Sequence, residues 1–170
     1  MSKGTRLRGP FISAEGFQIG TTDANAISTS ELRVANATLT SAQVLALFAT
    51  PITVLAAPGA GKAIVVERIK AVTAGGTAYA GIAAGEDFAV RYTDASGTIQ
   101  AVLETTGWLD QTTAQVRTTK PSGAAGTALV IFTPVANAAL VAHMLVGEII
   151  TGNYSILLTI YYRVINTTTL

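Results

Sequence analysis

Residues 155–165 read SILLTIYYRVI, and inward-facing apolar side chains alternate along this segment with a partly polar set. The period of two is typical of a β-strand with one face in a core and the other partly solvated. Gly152 and Asn153 precede the segment and favour a turn there. We therefore predict a long strand that anchors a β-structured core. The face predicted to be buried consists of Ile156, Leu158, Ile160, Tyr162 and Val164.

The chain upstream of this strand is a series of short apolar runs separated by turn residues. Phe88–Tyr92 alternates with the same period, Asp94–Gly97 is typical of a hairpin turn, and Thr98–Glu104 supplies the returning strand. A helix of about two turns is predicted after Thr40, and Pro51 stops it. Further strands are predicted at 52–56, 63–72, 79–83, 115–118, 128–132 and 139–144.

About eight short strands with almost no helix indicate an all-β fold. Strand–helix–strand alternation is absent from the sequence pattern, which argues against a doubly wound sheet. We predict a jelly-roll-type antiparallel β-sandwich over residues 41–170, with one short helix. Residues 1–40 are predicted to form an extended N-terminal arm.

The composition constrains the partners of the protein. Hydrophobic residues make up 49% of the chain and charged residues 12%, so few charges remain to cover its surface. This favours an oligomer or an assembly. A net charge of +1 predicts no binding to nucleic acid or to a membrane surface. The chain has no cysteine, which excludes disulfides and thiolate metal sites.

Three features of the sequence could carry chemistry, but each is more typical of a structural role. Residues 56–63, AAPGAGKA, resemble a phosphate-binding loop, but Ala56 and Ala63 replace the glycine and the hydroxyl residue that such a loop needs. His143, the single histidine, lies in an apolar run with no sign of a triad. Trp108, the single tryptophan, is expected to plug the open end of the sandwich or an oligomer interface, and stacking on a sugar is the alternative. We therefore predict no enzymatic activity, no cofactor and no metal.

The N-terminal arm carries isolated hydrophobic residues among Gly, Ser, Thr and Asn. Such spacing suits docking into grooves of another protein surface, and a disordered tail is the alternative. Three basic residues near its start favour contact with an acidic protein surface or plain solvation. The arm residues expected at a shell or subunit interface are Arg6, Arg8, Phe11, Ile12, Phe17, Ile19, Leu32 and Val34.

Two parts of the sequence resemble small structural proteins of tailed bacteriophages. The first is Thr50–Glu67, TPITVLAAPGAGKAIVVE, and the second comprises Asn137–Leu140 and Thr151–Val164, TGNYSILLTIYYRV. The resemblance implies a virion protein with a jelly-roll domain, assembled in the host cytoplasm. Its expected role is capsid decoration, in which a homotrimer binds the major capsid protein at capsomer junctions and stabilises the shell. For such a trimer, the predicted interface residues are Leu129, Ile131 and His143.

Two other functions stay open at the level of the sequence. A head-fibre, tail or spike adaptor of the same virion would insert the arm into a vertex or tail protein. A carbohydrate-binding jelly roll, or a small hydrolase, would need a groove with several exposed aromatic residues and a carboxylate pair. Glu86 and Asp87 are the only adjacent carboxylates, and they sit at a strand entry where solvated charges are common.

Overall fold

A computed structural model describes residues 31–119 and 133–167. Within these ranges the chain forms eight strands and one short helix, and neighbouring strands are antiparallel. In chain order the elements are β1 (Arg33–Leu39), α1 (Ser41–Leu45), β2 (Ile52–Leu55), β3 (Lys62–Thr73), β4 (Phe88–Tyr92), β5 (Ile99–Leu103), β6 (Gln115–Thr119), β7 (Leu140–Met144) and β8 (Ile156–Asn166).

The strands form two four-stranded sheets that pack face to face. Sheet A has the order β1-β8-β3-β6, and sheet B has the order β2-β7-β4-β5. Apart from the hairpin between β4 and β5, each connection crosses from one sheet to the other. This strand order is that of a jelly roll, in which two Greek keys share one core. The predicted fold class is confirmed.

Strand β8 is the centre of sheet A. It pairs with β1 on one side and with β3 on the other, over most of its length. Ile156, Leu158 and Ile160 are fully buried, because their side chains point between the sheets. The prediction of a long strand at residues 155–165 is confirmed, and the face predicted to be buried is buried except for Tyr162, which packs half-buried against the core. Burying three such side chains contributes about 1.5–3 kcal/mol each.

The first strand and the helix lie at the start of the sandwich. Residues 33–39 were assigned to the arm from the sequence, but they pair with β8 and send Leu39 into the core. Helix α1 then begins at Ser41 after Thr40, whose hydroxyl accepts from Gln43 N while the Gln43 side chain accepts from Thr40 N. This capping box fixes the start of the helix. The predicted helix is confirmed, but it is shorter than expected because it ends at Leu45.

Residues 79–83 differ from the predicted strand. Only Ala80 pairs there, in an isolated antiparallel bridge with Ile150. Gly81 has φ of +77°, which turns the backbone away from extended geometry. The other predicted strands within the described ranges agree with the observed ones to within one or two residues. The strand predicted at 128–132 lies outside the described residues.

Candidate interaction surface

The outer face of sheet A carries an apolar row that crosses three strands. Val72 of β3 lies opposite Val116 of β6 on one side and opposite Leu157 of β8 on the other. Val116 is 57% exposed and Leu157 is 41% exposed, so the row is accessible. Directly paired side chains on one sheet face lie about 4.5–5.5 Å apart between Cβ atoms, which makes the row continuous. The sheet geometry thus places three aliphatic side chains in one surface patch.

Cations lie next to this row on the same face. Lys70 is two residues before Val72 in β3 and therefore points to the same side of the sheet. Arg68 lies beyond it, with its guanidinium carbon 4.2 Å from the centre of the Tyr161 ring. Arg163 forms an ion pair with Glu67 at 3.0 Å between Nε and Oε1. We call the surface formed by Val72, Val116, Leu157, Lys70 and Arg68 the cationic face.

The described chain begins at residue 31 and enters the sandwich at an edge of sheet A. Among the described strands, β1 pairs only with β8, so its second edge is unpaired within these ranges. Leu32 and Val34 at this junction are 49% and 55% exposed. A groove of about 320 Å³ lies on the other face of β1, between this strand and the β2–β3 connection, because Arg33, which lines it, points to the opposite side of the strand from Val34. Leu55 and Ile64 line its apolar part, and the cations Arg33 and Lys62 also line it.

His143 is placed on the outer side of β7. It is only 5% exposed, and its Nε2 lies 3.2 Å from the carbonyl oxygen of Phe48. The Phe48 ring stacks near it, with centroids 5.9 Å apart. Burial, followed by the charge of Arg91, lowers the pKa of His143. The imidazole therefore packs within its own chain, and a sister subunit at this site would meet the exposed Phe48 as well. Its predicted place in a trimer interface stays a prediction.

Trp108 closes one end of the sandwich. Its side chain is fully buried and meets the Phe88 ring edge to face, with centroids 5.8 Å apart. A sugar-stacking surface needs an exposed ring face, which Trp108 does not offer. The prediction that this tryptophan plugs the sandwich is confirmed.

The segment that resembles a phosphate-binding loop is a strand connection. Gly59 and Gly61 have positive φ, and Lys62 N donates to the carbonyl oxygen of Gly59 at 3.2 Å before β3 begins. Asn137 fastens the turn, because its Oδ1 accepts from Gly59 N and its backbone N donates to the Lys62 carbonyl oxygen. A strand follows where a phosphate loop requires a helix.

The part of the chain that the structure describes contains neither a metal site nor a membrane-spanning helix. No group of three or more His, Asp or Glu side chains is arranged there to hold a metal ion. Among the same residues, no helix is long and apolar enough to cross a membrane.

The predicted interface residues are divided by the structure into two groups. Leu32, Val34 and His143 are described, and the first two lie at the start of β1. The others lie outside the described residues: Arg6, Arg8, Phe11, Ile12, Phe17, Ile19, Leu129 and Ile131. The apolar row could not be predicted from the sequence, because Val72, Val116 and Leu157 come together only through the pairing register of three strands. The alternation of side chains along β3 and β8 predicts which face of the sheet each residue occupies. It does not predict which residues of the adjacent strands lie next to it.

No family model, curated protein or solved structure matches this chain.

Proposed function

We propose that the protein is a virion structural protein that decorates a capsid. In this role it binds the shell of the major capsid protein at capsomer junctions and stabilises it. The sequence resemblance to small structural proteins of tailed phages suggests this class. A jelly roll suits the role physically, because a rigid body can span the seam between capsomers and bury area on both sides.

The observation that carries the proposal is the junction between arm and sandwich. Residues 1–30 precede the edge strand β1 in the chain, where Val34 is exposed on the outer face of sheet A and Arg33, on the opposite face of the strand, lines a groove together with Lys62. An arm joined to an exposed apolar junction lets one molecule contact the shell at two connected places. Two linked contacts bind far more tightly than either alone, through effective concentration.

The first experiment measures binding to particles that lack the protein. Purified full-length protein is mixed with such particles from the encoding phage, and co-sedimentation is compared with that of a chain lacking residues 1–30. We expect the full chain to sediment with heads and to raise their resistance to heat. The shortened chain should bind more weakly, by about tenfold to a thousandfold if two contacts cooperate.

The second experiment tests the junction with matched variants. Leu32→Ser and Val34→Ser should weaken head binding, because each removes apolar area that the shell would cover. Val146→Ser and Ile150→Ser are the controls, since these residues are similarly exposed (53% and 59%) but lie in the β7–β8 connection. Equal binding by all four variants and the wild type would count against a role for the junction. If the protein associates with tails and not with heads, the adaptor function would be supported and the decoration function rejected.

A further inference from the structure

The outer faces of the two sheets differ in how far they are covered. In sheet B, the outward residues Ala89, Val141 and His143 are buried. In sheet A, the outward residues Val116 and Leu157 are exposed, and the cationic face that contains them lies open. A contiguous apolar patch rimmed by charged residues is typical of an interaction site. The outer face of sheet A is therefore the stronger candidate for a docking surface.

The charge of this face is positive. Arg68, Lys70 and Arg163 are cations on the outer side of sheet A, and Glu67 is the one carboxylate on the described strands of this sheet. Arg163 forms an ion pair with Glu67, so this carboxylate is already engaged. Within the described ranges, the side chains of Arg68 and Lys70 form neither a hydrogen bond nor an ion pair. Their charges are available to a partner.

A bulge and an aromatic ring position Arg68. The register of β3 against β8 shifts between Val66 and Arg68, so Glu67 is an extra residue in β3. A bulge re-aims the side chains around it, and here Glu67 and Arg68 both reach the outer side of the sheet. The Tyr161 ring lies beneath the Arg68 guanidinium. A guanidinium held on a ring can still donate from its N–H groups to a carboxylate in a forked arrangement.

The cationic face is one part of a larger contact surface. It crosses three strands and runs from Arg68 to Val72 along β3, so its backbone measures roughly 10 Å by 13 Å. A stable protein interface needs about 800 Å² on each partner, which is several times this area. The face continues onto β1, because Tyr161 pairs with Arg68 on one side and with Val34 on the other. One partner can therefore cover the cationic face and Val34 together.

We infer that the cationic face docks on an acidic surface of the virion protein that this chain binds, where carboxylates meet Arg68 and Lys70 and an apolar patch covers the aliphatic row. The inference rests on the proposed function for the identity of this partner, the shell. A second copy using the same face is disfavoured, because two cationic faces would bring like charges together. Complementary charge orients the encounter and fixes the register of the two surfaces.

The first test measures binding of the full chain to heads that lack the protein, at about 50 mM and about 200 mM salt. Arg68→Gln and Lys70→Gln should each weaken binding by about threefold to tenfold at the lower salt concentration, because a carboxylate of the shell loses its cation. Ala84→Glu is the control, since it changes the net charge equally in the exposed β3–β4 connection. It should bind as the wild type does. The double variant Arg68→Gln/Lys70→Gln should respond less to salt than the wild type.

The second test concerns the apolar row. Val116→Thr keeps the branched shape that suits a strand but replaces a methyl group by a hydroxyl. We expect it to weaken head binding by about threefold to tenfold, because the hydroxyl loses water on docking. Val146→Thr is the control, since Val146 is similarly exposed (53% against 57%) but lies in the β7–β8 connection. Thermal unfolding of each variant shows that it is folded.

The outcomes separate the inference from the decoration function. Equal head binding by the wild type, Lys70→Gln and Val116→Thr would overturn the inference and leave decoration standing. If the chain binds tails instead of heads and the same variants weaken that binding, decoration is rejected and the docking face is retained. A chain that binds neither heads nor tails rejects both. Sedimentation velocity tests a second copy as the occupant, because a wild-type oligomer that dissociates in Arg68→Gln or Lys70→Gln would also overturn the inference.

Discussion

The rings of Tyr79 and Tyr154 meet edge to face, with centroids 4.8 Å apart and an interplanar angle of 84°. The Tyr79 hydroxyl donates to the backbone carbonyl oxygen of Tyr154, and the Tyr154 hydroxyl donates to that of Leu109. Both tyrosines are buried. The two tyrosines thus fasten three connecting segments to one another at one end of the sandwich, next to the isolated bridge between Ala80 and Ile150.

We expect Tyr79→Phe to destabilise the fold by about 1–3 kcal/mol, because the buried Tyr154 carbonyl oxygen loses its donor while the ring packing remains. Chemical denaturation measures this as a lower free energy of unfolding. Tyr161→Phe is the control, since Tyr161 lies on the outer face of sheet A and keeps its ring beneath Arg68. It should change stability by no more than about 0.5 kcal/mol. Equal effects of the two variants would contradict the role assigned to the Tyr79 hydroxyl.

Two glycines with the same backbone angle should respond differently to alanine. Gly59 and Gly152 have φ of +98° and +97°, but a Cβ on Gly152 would lie 2.2 Å from a Tyr79 ring carbon, whereas one on Gly59 would meet nothing within 4 Å. We expect Gly59→Ala to cost about 1 kcal/mol from backbone strain alone. Gly152→Ala should cost about 1–3 kcal/mol more, because the ring must move. Thermal unfolding of both variants tests this prediction. Similar losses of stability in the two variants would show that the Tyr79 ring moves aside at little energetic cost.

Acid should destabilise the fold through His143. Its lowered pKa means that the unfolded chain binds the proton more readily, so the free energy of unfolding falls as the pH falls below the ordinary value of about 6.5. His143→Gln should remove this part of the pH dependence. Denaturant titrations at about pH 7.5 and about pH 5.5 give the two slopes to compare. If the free energy of unfolding differs between these two pH values as much in the variant as in the wild type, other groups cause the acid sensitivity.

Trp108 should act as a structural plug and as a reporter of the core. Trp108→Ala should destabilise the fold by about 3–5 kcal/mol, because it leaves a large cavity against Phe88. Trp108→Phe keeps a ring in place and should cost less. In the wild type, emission from this single tryptophan should be blue-shifted and insensitive to added oligosaccharides. A saturable change in emission with a glycan would instead support the carbohydrate-binding alternative.

The strands were largely predictable because their patterns are local. Phe88–Tyr92 was predicted with the observed bounds, since its alternation ends at a turn where Ser96 N donates to the Asp94 carboxylate at 2.8 Å. β1 was harder to separate from the arm. Its inward residues include the small Ala35 and Ala37, and its one large buried side chain is Leu39. Residues 79–83 were wrongly predicted to form a strand, because an apolar run can also pack against the core as a loop, as it does here.

The surfaces were less predictable than the strands. Lys70 and Val72 could be placed on one face of β3 from their spacing alone. Their neighbours in β6 and β8 depend on register, and register depends on a bulge between Val66 and Arg68. The contact of Asp87 with Glu104 likewise follows from hairpin pairing that brings two distant positions opposite each other. The strands of sheet A carry six cations and one carboxylate, an imbalance that a net charge of +1 for the whole chain does not reveal.

The position of β1 also determines how the sandwich would bear mechanical load. Chain tension applied before Glu31 reaches the ladder of seven paired positions that runs from Arg33 and Tyr162 to Leu39 and Ile156. A pull along the strand axis shears all seven pairs at once, whereas a pull away from the sheet peels them singly, beginning at Arg33. The sandwich would thus resist a force applied along the axis of β1 that would detach this strand if it were applied perpendicular to the sheet.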